Sequence, residues 1–380
     1  MRIAYCIGAL NKTGGAERVL VNKANYLADV FGYTVFILIA NQGNLPLCYK
    51  VSKKVKIIDM KIVSYFDKKN IPIFSFFKNI KKLRPVYLEK IQQISPNIII
   101  VLERGYDDFI IPNILPSIVK VRETHSSMEA VNIMDNYVSK NIKKRLIDKF
   151  FTKLYNRQMK KYNHVVVLSE RDKKYRGYLH NVTVIPNVVF QFDGDLSELV
   201  NTRAISVGRL DTFKNFKDQI VIWSKIVNKH PNWTLHIYGE GPEKANLIEL
   251  INKLNLNNHV FLEGSTSEVN KKYQESSLFL FTSIAEGFGL VLVEAMQFGV
   301  PVISYNCPCG PSDIIENNKD GIIIEVGDLI GLEQKILETI ENKEKSKLIS
   351  ENAIIKSKEY LPEVIMKKWK TLIKQLINEK

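Results

Sequence analysis

Cysteine is scarce in this chain. The four present (Cys6, Cys48, Cys307 and Cys309) are too few and too scattered among 380 residues for a disulfide framework. Cys307 and Cys309 flank Pro308, but no second Cys/His pair lies near them in sequence, so no metal site is expected there. Long apolar runs are missing too. Stretches such as NIIIVL (97–102) fall far short of the ~20 residues that a membrane span needs. The N-terminus, MRIAYCIGAL, lacks a convincing cleavage site and reads as a buried first strand, which points to the cytoplasm. Acid is in short supply: 40 Asp and Glu stand against 54 Lys and Arg, a formal net charge of +14. That balance alone fits nucleic acid, an anionic membrane surface or plain solubility. The absence of helix-turn-helix, RNP-like and zinc-finger signatures argues against the first. The chain also has no internal repeat and no low-complexity segment.

What is present suits a soluble globular protein: 45% hydrophobic and 25% charged residues, over a length that favours two domains. Short apolar strands alternate with helical stretches almost throughout, the pattern of parallel sheets built from βαβ units. Strands are expected at 2–7, 34–40, 97–102, 119–123, 164–168 and 182–185. In the second half they are expected at 203–207, 234–238, 260–263, 278–282, 301–304 and 321–324. The polar stretch 191–199 follows the turn-like Pro186-Asn187 and reads as a linker. The fold class is therefore α/β, with two doubly wound Rossmann-like domains facing across a cleft. The expected boundaries are 1–188 for the first domain, 189–202 for the linker and 203–361 for the second domain. Such folds bind ligands at the carboxyl ends of their strands. A closing helix, 362–380, carries Ile365, Trp369, Leu372 and Leu376 on one face, and that face must be buried.

The densest basic run is Lys140–Lys161. Ile142, Leu146, Phe150 and Leu154 recur there every four residues, with nine Lys and Arg on the remaining faces. It is an amphipathic helix that fits either a solvated cover on a sheet or a membrane-facing surface.

The residues that carry chemistry cluster in the second half. In SIAEGFGLVLVEAMQFGVPVI (283–303), Glu286 and Glu294 flank a Gly-Phe-Gly turn that leads into an apolar helix starting near Gly289–Leu290. Free N–H groups and the positive dipole end at Phe288, Gly289 and Leu290 suit a phosphate. Glu294 lies on an otherwise apolar stretch and needs a partner, which the vicinal hydroxyls of a ribose would supply. Gly208-Arg209 ends a strand, with Lys214 five residues after the Arg. The two cations fit a diphosphate leaving group or a pair of solvated charges. Gly239, in Tyr238-Gly239-Glu240-Gly241-Pro242, either lets backbone approach a base or only turns the chain. Gly14-Gly15, after the first strand, admits the same two readings, and the G-x-G-x-x-G spacing of dinucleotide folds is absent. His125 follows a strand end, where a functional and a structural role both fit. Asp193-Gly194-Asp195 looks like a metal-binding D-x-D but falls in the linker and reads as a turn.

Together these positions resemble the retaining nucleotide-sugar glycosyltransferases of family 4, of bacterial glycan-biosynthesis type, which have GT-B architecture. The resemblance spans nearly the whole chain, in the family's order, and its most specific element is Glu286-Gly287-Phe288-Gly289 with Glu294. It implies that Arg209 and Lys214 hold the diphosphate, that backbone at Phe288–Leu290 cradles phosphate and sugar, and that Glu294 binds ribose. Glu286 would contact the donor sugar, His125 would touch it from the first domain, and Gly15 would let that domain close over the phosphates. The closing helix would pack back on the first domain. The family's usual account is a front-face, metal-independent reaction in which the leaving phosphate takes the acceptor proton. Cys307-Pro308-Cys309-Gly310-Pro311 resembles a segment of relatives that use UDP-sugars of galactose or N-acetylgalactosamine type, with Gly310 shaping the sugar pocket. The implied partners are a UDP-sugar donor, a glycan or lipid-linked acceptor in surface-polysaccharide synthesis, and an anionic membrane surface at the inner face. A GDP-sugar enzyme and a non-catalytic nucleotide-sugar or glycan binder are the alternatives. Acceptor contacts would fall on the loops 10–13, 103–108 and 126–134.

Overall fold

The structure, a computed structural model, describes residues 1–11, 14–62, 72–102, 105–131, 142–192 and 194–379, without the side chains of 142–146. These residues group into two units, one drawn from 1–128, 135–188 and 362–380 and the other from 129–134 and 189–361.

The first unit holds a seven-stranded parallel sheet, in the order β3-β2-β1-β4-β5-β6-β7. Its strands are β1 (Arg2–Ile7), β2 (Thr34–Ile39), β3 (Val55–Asp59), β4 (Ile98–Val101), β5 (Val119–Glu123), β6 (His164–Val167) and β7 (Val182–Val184). Its helices are α1 (Gly15–Asp29), α2 (Ile73–Ile94), the short α3 (Asp107–Ile110), α4 (Ile142–Met159) and α5 (Glu170–Tyr175). The C-terminal helix, Pro362–Asn378, belongs to this unit and buries Ile365, Trp369 and Leu372. The central strands are buried along almost their whole length, as expected for a parallel sheet covered on both faces. β3 has no counterpart among the strands expected from sequence. It is an edge strand whose Lys56 is exposed and whose last three residues are only half-buried, so its hydrophobic signal is weak.

The second unit holds a six-stranded parallel sheet, in the order β10-β9-β8-β11-β12-β13. Its strands are β8 (Arg203–Val207), β9 (Thr234–Tyr238), β10 (Val260–Gly264), β11 (Leu278–Phe281), β12 (Val302–Tyr305) and β13 (Ile322–Ile324). Its helices are α6 (Phe216–Lys229), α7 (Lys244–Lys253), α8 (Val269–Gln274), α9 (Leu290–Gln297), α10 (Pro311–Ile314), α11 (Leu329–Glu341) and α12 (Lys343–Ser357). Trp223, Ile220 and Ile226 of α6 belong to its core, in one buried cluster with Ala204 of β8 and Leu235 and Ile237 of β9. The expected linker packs on this unit. Phe192 stacks on Phe298 at 5.8 Å, Gln274 Nε2 donates to the Asp195 carbonyl at 2.7 Å, and Ser197 Oγ donates to the Ser276 carbonyl at 2.6 Å. Asp193, from the D-x-D triplet, lies outside the described residues.

Both sheets are doubly wound parallel α/β sheets, the GT-B type of architecture. In each, strand order reverses beside the first strand: between β1 and β4 in the first unit, and between β8 and β11 in the second. Ligands of such sheets bind at the carboxyl end of that reversal. Among the described residues no helix is long and apolar enough to cross a membrane.

Candidate active site

In the second unit the loops after β8 and β11 meet where the strand order reverses. Lys214, from the loop after β8, donates from Nζ to Oε1 of Glu286, from the loop after β11. Both side chains keep a minor exposed fraction, 23% and 12%, so the pair is open to a ligand on one side. An ammonium has three donors, so the bond to Glu286 leaves donor capacity for an incoming anion.

Local hydrogen bonds hold Lys214 there. Asp211 Oδ1 accepts from the backbone N–H groups of Phe213 (3.0 Å) and Lys214 (3.1 Å), which closes the loop into a turn. Asn215 then takes left-handed backbone (φ 49°) and α6 begins at Phe216. Thr282 Oγ1, just past β11, contacts the carbonyls of Lys214 (3.2 Å) and Asn215 (3.0 Å). It also accepts from the buried Gln219 Nε2 at 2.9 Å, and Gln219 further donates to Ser206 Oγ at 3.1 Å. The lysine thus stands on a loop fixed to two neighbouring strands. Its ammonium also lies 5.6 Å from the centre of the Phe281 ring. Cys307, after β12, is buried close by. Burial pushes its thiol well above the usual range, Glu286 adds to that rise and Lys214 works against it.

Arg209 is placed differently. Its side chain is 72% exposed and its Nε stands 3.8 Å from Asp211 Oδ2, an ordinary solvated cation contact.

The glycines show why this loop cluster is compact. Gly239 has φ +148°, and a Cβ there would sit 1.8 Å from the Gly208 carbonyl oxygen. The close approach that Gly239 permits is therefore to the backbone after β8, reinforced by the bond from Leu210 N–H to the Glu240 carbonyl at 3.0 Å. Gly310 (φ +147°) does the same for the loop after β12, where a Cβ would meet the Phe288 carbonyl oxygen at 2.3 Å. The 307–311 segment is thereby seated on the Gly-Phe-Gly turn. Gly289, at φ 94°, is the residue before α9, so the helix starts at Leu290 as its sequence predicts. Leu292 N–H of its first turn already bonds the Gly289 carbonyl at 3.0 Å, which leaves the amides of Leu290 and Val291 as the helix start that faces an incoming anion.

Glu294 is buried, and its Oε2 accepts from the Tyr273 hydroxyl at 3.2 Å. Tyr273 stacks on Phe298 at 5.6 Å, which fixes the phenol and with it one face of the carboxylate. Sequence reading missed Tyr273, Asp211, Thr282 and Gln219. Asp211 alone left a signal, as an Asp opening a polar turn (DTFKN) at a strand end.

His125 and the Gly14-Gly15 pair lie in the first unit. Gly14 precedes α1 in extended backbone, and the Glu17 carboxylate folds back over it, 2.1 Å from where a Cβ would stand. Gly15 is the first residue of α1. His125 sits two residues past β5 with Nε2 3.2 Å from Glu123 Oε1. Of the expected acceptor loops, residues 12–13, 103–104 and 132–134 lie outside the described residues.

Residues 197–356 match the family model described as "Glycosyl transferases group 1", a stretch that carries Arg209, Lys214, Glu286 and Glu294. Over 380 residues the chain is 29% identical to an uncharacterized glycosyltransferase of Haemophilus influenzae, covering 98% of this chain and 99% of that one. It is 32% identical to the amylovoran biosynthesis glycosyltransferase AmsD of Erwinia amylovora over 220 residues, which cover 55% of this chain and 61% of the relative. Among solved structures, HepE of Anabaena in complex with UDP superposes with a TM-score of 0.75 at 18% identity, covering 99% of this chain and all of that one. At that identity the likeness is one of fold.

Proposed function

We propose that this chain is a retaining glycosyltransferase that moves a hexose or N-acetylhexosamine from a UDP-sugar to a glycan or lipid-linked acceptor in bacterial surface-polysaccharide synthesis. The observation that carries the reading is the Lys214–Glu286 pair at the point where strand order reverses, flanked by the start of α9. In this reading Lys214 and the first-turn amides of α9 take the diphosphate, and Arg209 swings in from solvent to join them. Charge developing on the leaving nucleotide is then met by fixed donors and not by a metal. Glu286 faces the sugar hydroxyls, and Glu294, oriented by Tyr273, takes the ribose. The turn at Gly310, packed on the Phe288 backbone, borders the sugar pocket and favours galactose or N-acetylgalactosamine donors. UDP in the HepE structure and a polysaccharide role in the name of AmsD support the nucleotide and the pathway class.

A panel of UDP-, GDP- and ADP-sugars read out as free nucleotide tests this. UDP release with a galactose-type donor, persisting in a chelator, is expected. Release only from GDP-sugars overturns the donor assignment, and tight UDP binding without turnover of any donor identifies a binding protein instead.

A peripheral position at the inner face of the membrane belongs to the same reading. On α2 the side chains of Ile73, Phe74 and Phe77 are exposed, Phe74 to 81%, beside exposed Lys78, Lys81, Lys82 and Arg84. On α4, Lys149, Phe150, Lys153 and Arg157 are exposed. The buried Phe76 of α2 packs edge-on against the buried Phe151 of α4 at 5.1 Å, so both helices lie over the same core with their basic faces outward. Aromatic side chains among cations suit an anionic bilayer surface. In flotation assays the protein is expected to rise with phosphatidylglycerol vesicles and not with phosphatidylcholine vesicles, and Phe74→Ser/Phe77→Ser is expected to weaken binding. Binding that ignores lipid charge would sink the proposal.

A further inference from the structure

Beneath His125 the first unit buries a charge cluster that the reaction described above does not use. The Glu123 carboxylate is 2% exposed and holds two partners, one on each oxygen: Lys23 Nζ at 2.5 Å on Oε2 and His125 Nε2 at 3.2 Å on Oε1. Lys23 comes from α1, is itself 1% exposed, and lies with its ammonium 3.6 Å from the centre of the Trp369 ring in the C-terminal helix. The Tyr5 ring of β1 lies 5.7 Å away on the same cation. Burial works against ionising Glu123, yet Lys23 and His125 outweigh it and hold its carboxyl down at about 2. The carboxylate is therefore charged throughout the working range of an enzyme.

Apolar side chains would fill such a space at no electrostatic cost, because burying an ammonium and a carboxylate is expensive even when they pair. Three elements that are distant in sequence (α1, the end of β5 and the C-terminal helix) instead meet around the Lys23–Glu123 pair, and Glu123 lies two residues before His125. Among the described residues the Glu123 carboxylate, 3.2 Å from Nε2, is the polar side chain that faces the His125 ring, and it is what orients the imidazole.

We infer that Glu123, Lys23 and Trp369 form a positioning relay for His125, in which the seating of Trp369 over Lys23 sets the Glu123 carboxylate and the carboxylate sets the imidazole. The inference rests on the reading that His125 meets the donor sugar. The C-terminal helix follows directly on the last residue of the second unit, Leu361. Through the relay, His125 is aimed only while that helix is in place.

The test uses the full chain and steady-state turnover of the donor that the panel identifies. Glu123→Gln is expected to lower kcat about 10- to 100-fold, the cost of a misplaced catalytic group, with the donor KM within about threefold. Trp369→Leu is expected to lower kcat in the same way, and Trp369→Phe, which restores a ring face, to recover most of it. The double variant Lys23→Met/Glu123→Gln removes both charges and leaves no buried charge unpaired, so a folded protein with low kcat is expected from it. In a His125→Ala background Glu123→Gln is expected to add no further loss, whereas a merely structural role would add its loss in full. If His125→Ala itself leaves kcat unchanged, the donor-contact reading falls and the relay with it. If His125→Ala lowers kcat while the folded double variant keeps wild-type kcat, or if the losses add, the relay alone is overturned.

Discussion

Lys214→Ala is expected to lower kcat about 100- to 1,000-fold, the usual loss when one fixed donor to developing negative charge is removed. Lys214 stands on a loop tied down by Asp211, Thr282 and Gln219, so its ammonium is in place before substrate arrives and no reorganisation is needed during the reaction. Arg209 carries the same charge on a 72% exposed side chain and must be immobilised first. Arg209→Ala is accordingly expected to cost less in kcat, with more of its effect in donor KM. Stability is expected to fall by about 1–3 kcal/mol in Lys214→Ala, because Glu286 loses its cation at a site where its side chain is only 12% exposed. Turnover of a soluble acceptor together with the thermal midpoint settles the matter. A variant that keeps half of its activity would remove Lys214 from the leaving-group site, and a larger loss of stability would assign the lysine to folding instead.

The parts of this site that the sequence disclosed are those where chain direction and chemistry coincide. Val207-Gly208-Arg209 and Leu278–Thr282 read as strand ends, and charged residues just past strand ends of a βαβ chain point to the ligand edge. The start of α9 was legible because Gly287 and Gly289 resist helix and Leu290–Met296 favours it. Pairings across the sheet left no such trace. Nothing local in Tyr273 says that its hydroxyl reaches Glu294, and Gly239 looks like a ligand-facing glycine until the Gly208 carbonyl is seen against it. Glu123 and Lys23 are 100 residues apart in sequence, and each in isolation reads as an ordinary surface charge. The edge strand β3 escaped for a different reason, since a half-solvated strand need not carry a continuous apolar run. Local periodicity therefore reports elements and their ends, whereas buried polar partners depend on register and strand order, which only the assembled sheets supply.

Asp108→Ala is expected to destabilise the protein by about 3–5 kcal/mol, the cost of leaving a buried charge without its partner. The partner is Arg122 of β5, whose side chain is 2% exposed, with Nε 2.6 Å from Asp108 Oδ1. Burial works against the guanidinium's charge, but Asp108 together with Tyr155 and Tyr162 outweighs it and holds the group above its usual range, so Arg122 cannot escape by losing a proton. Its Nη1 donates to the carbonyls of Val101 (3.0 Å) and Leu102 (2.6 Å) and also to that of Glu123. These bonds fasten the end of β4 to the end of β5, the strand that leads to His125. The hydroxyl of Tyr162 adds a long contact to Asp108 at 3.4 Å. Against a total stability of roughly 5–15 kcal/mol, a loss of this size is large. The double variant Asp108→Leu/Arg122→Met separates charge from packing, because replacing both members of a buried pair by apolar groups is often neutral. Urea unfolding should therefore show a much lower midpoint for the single variant and a midpoint near wild type for the double. Equal losses in the two would mean that the Arg122 bonds to the β4 carbonyls, and not the ion pair, are what the first unit depends on.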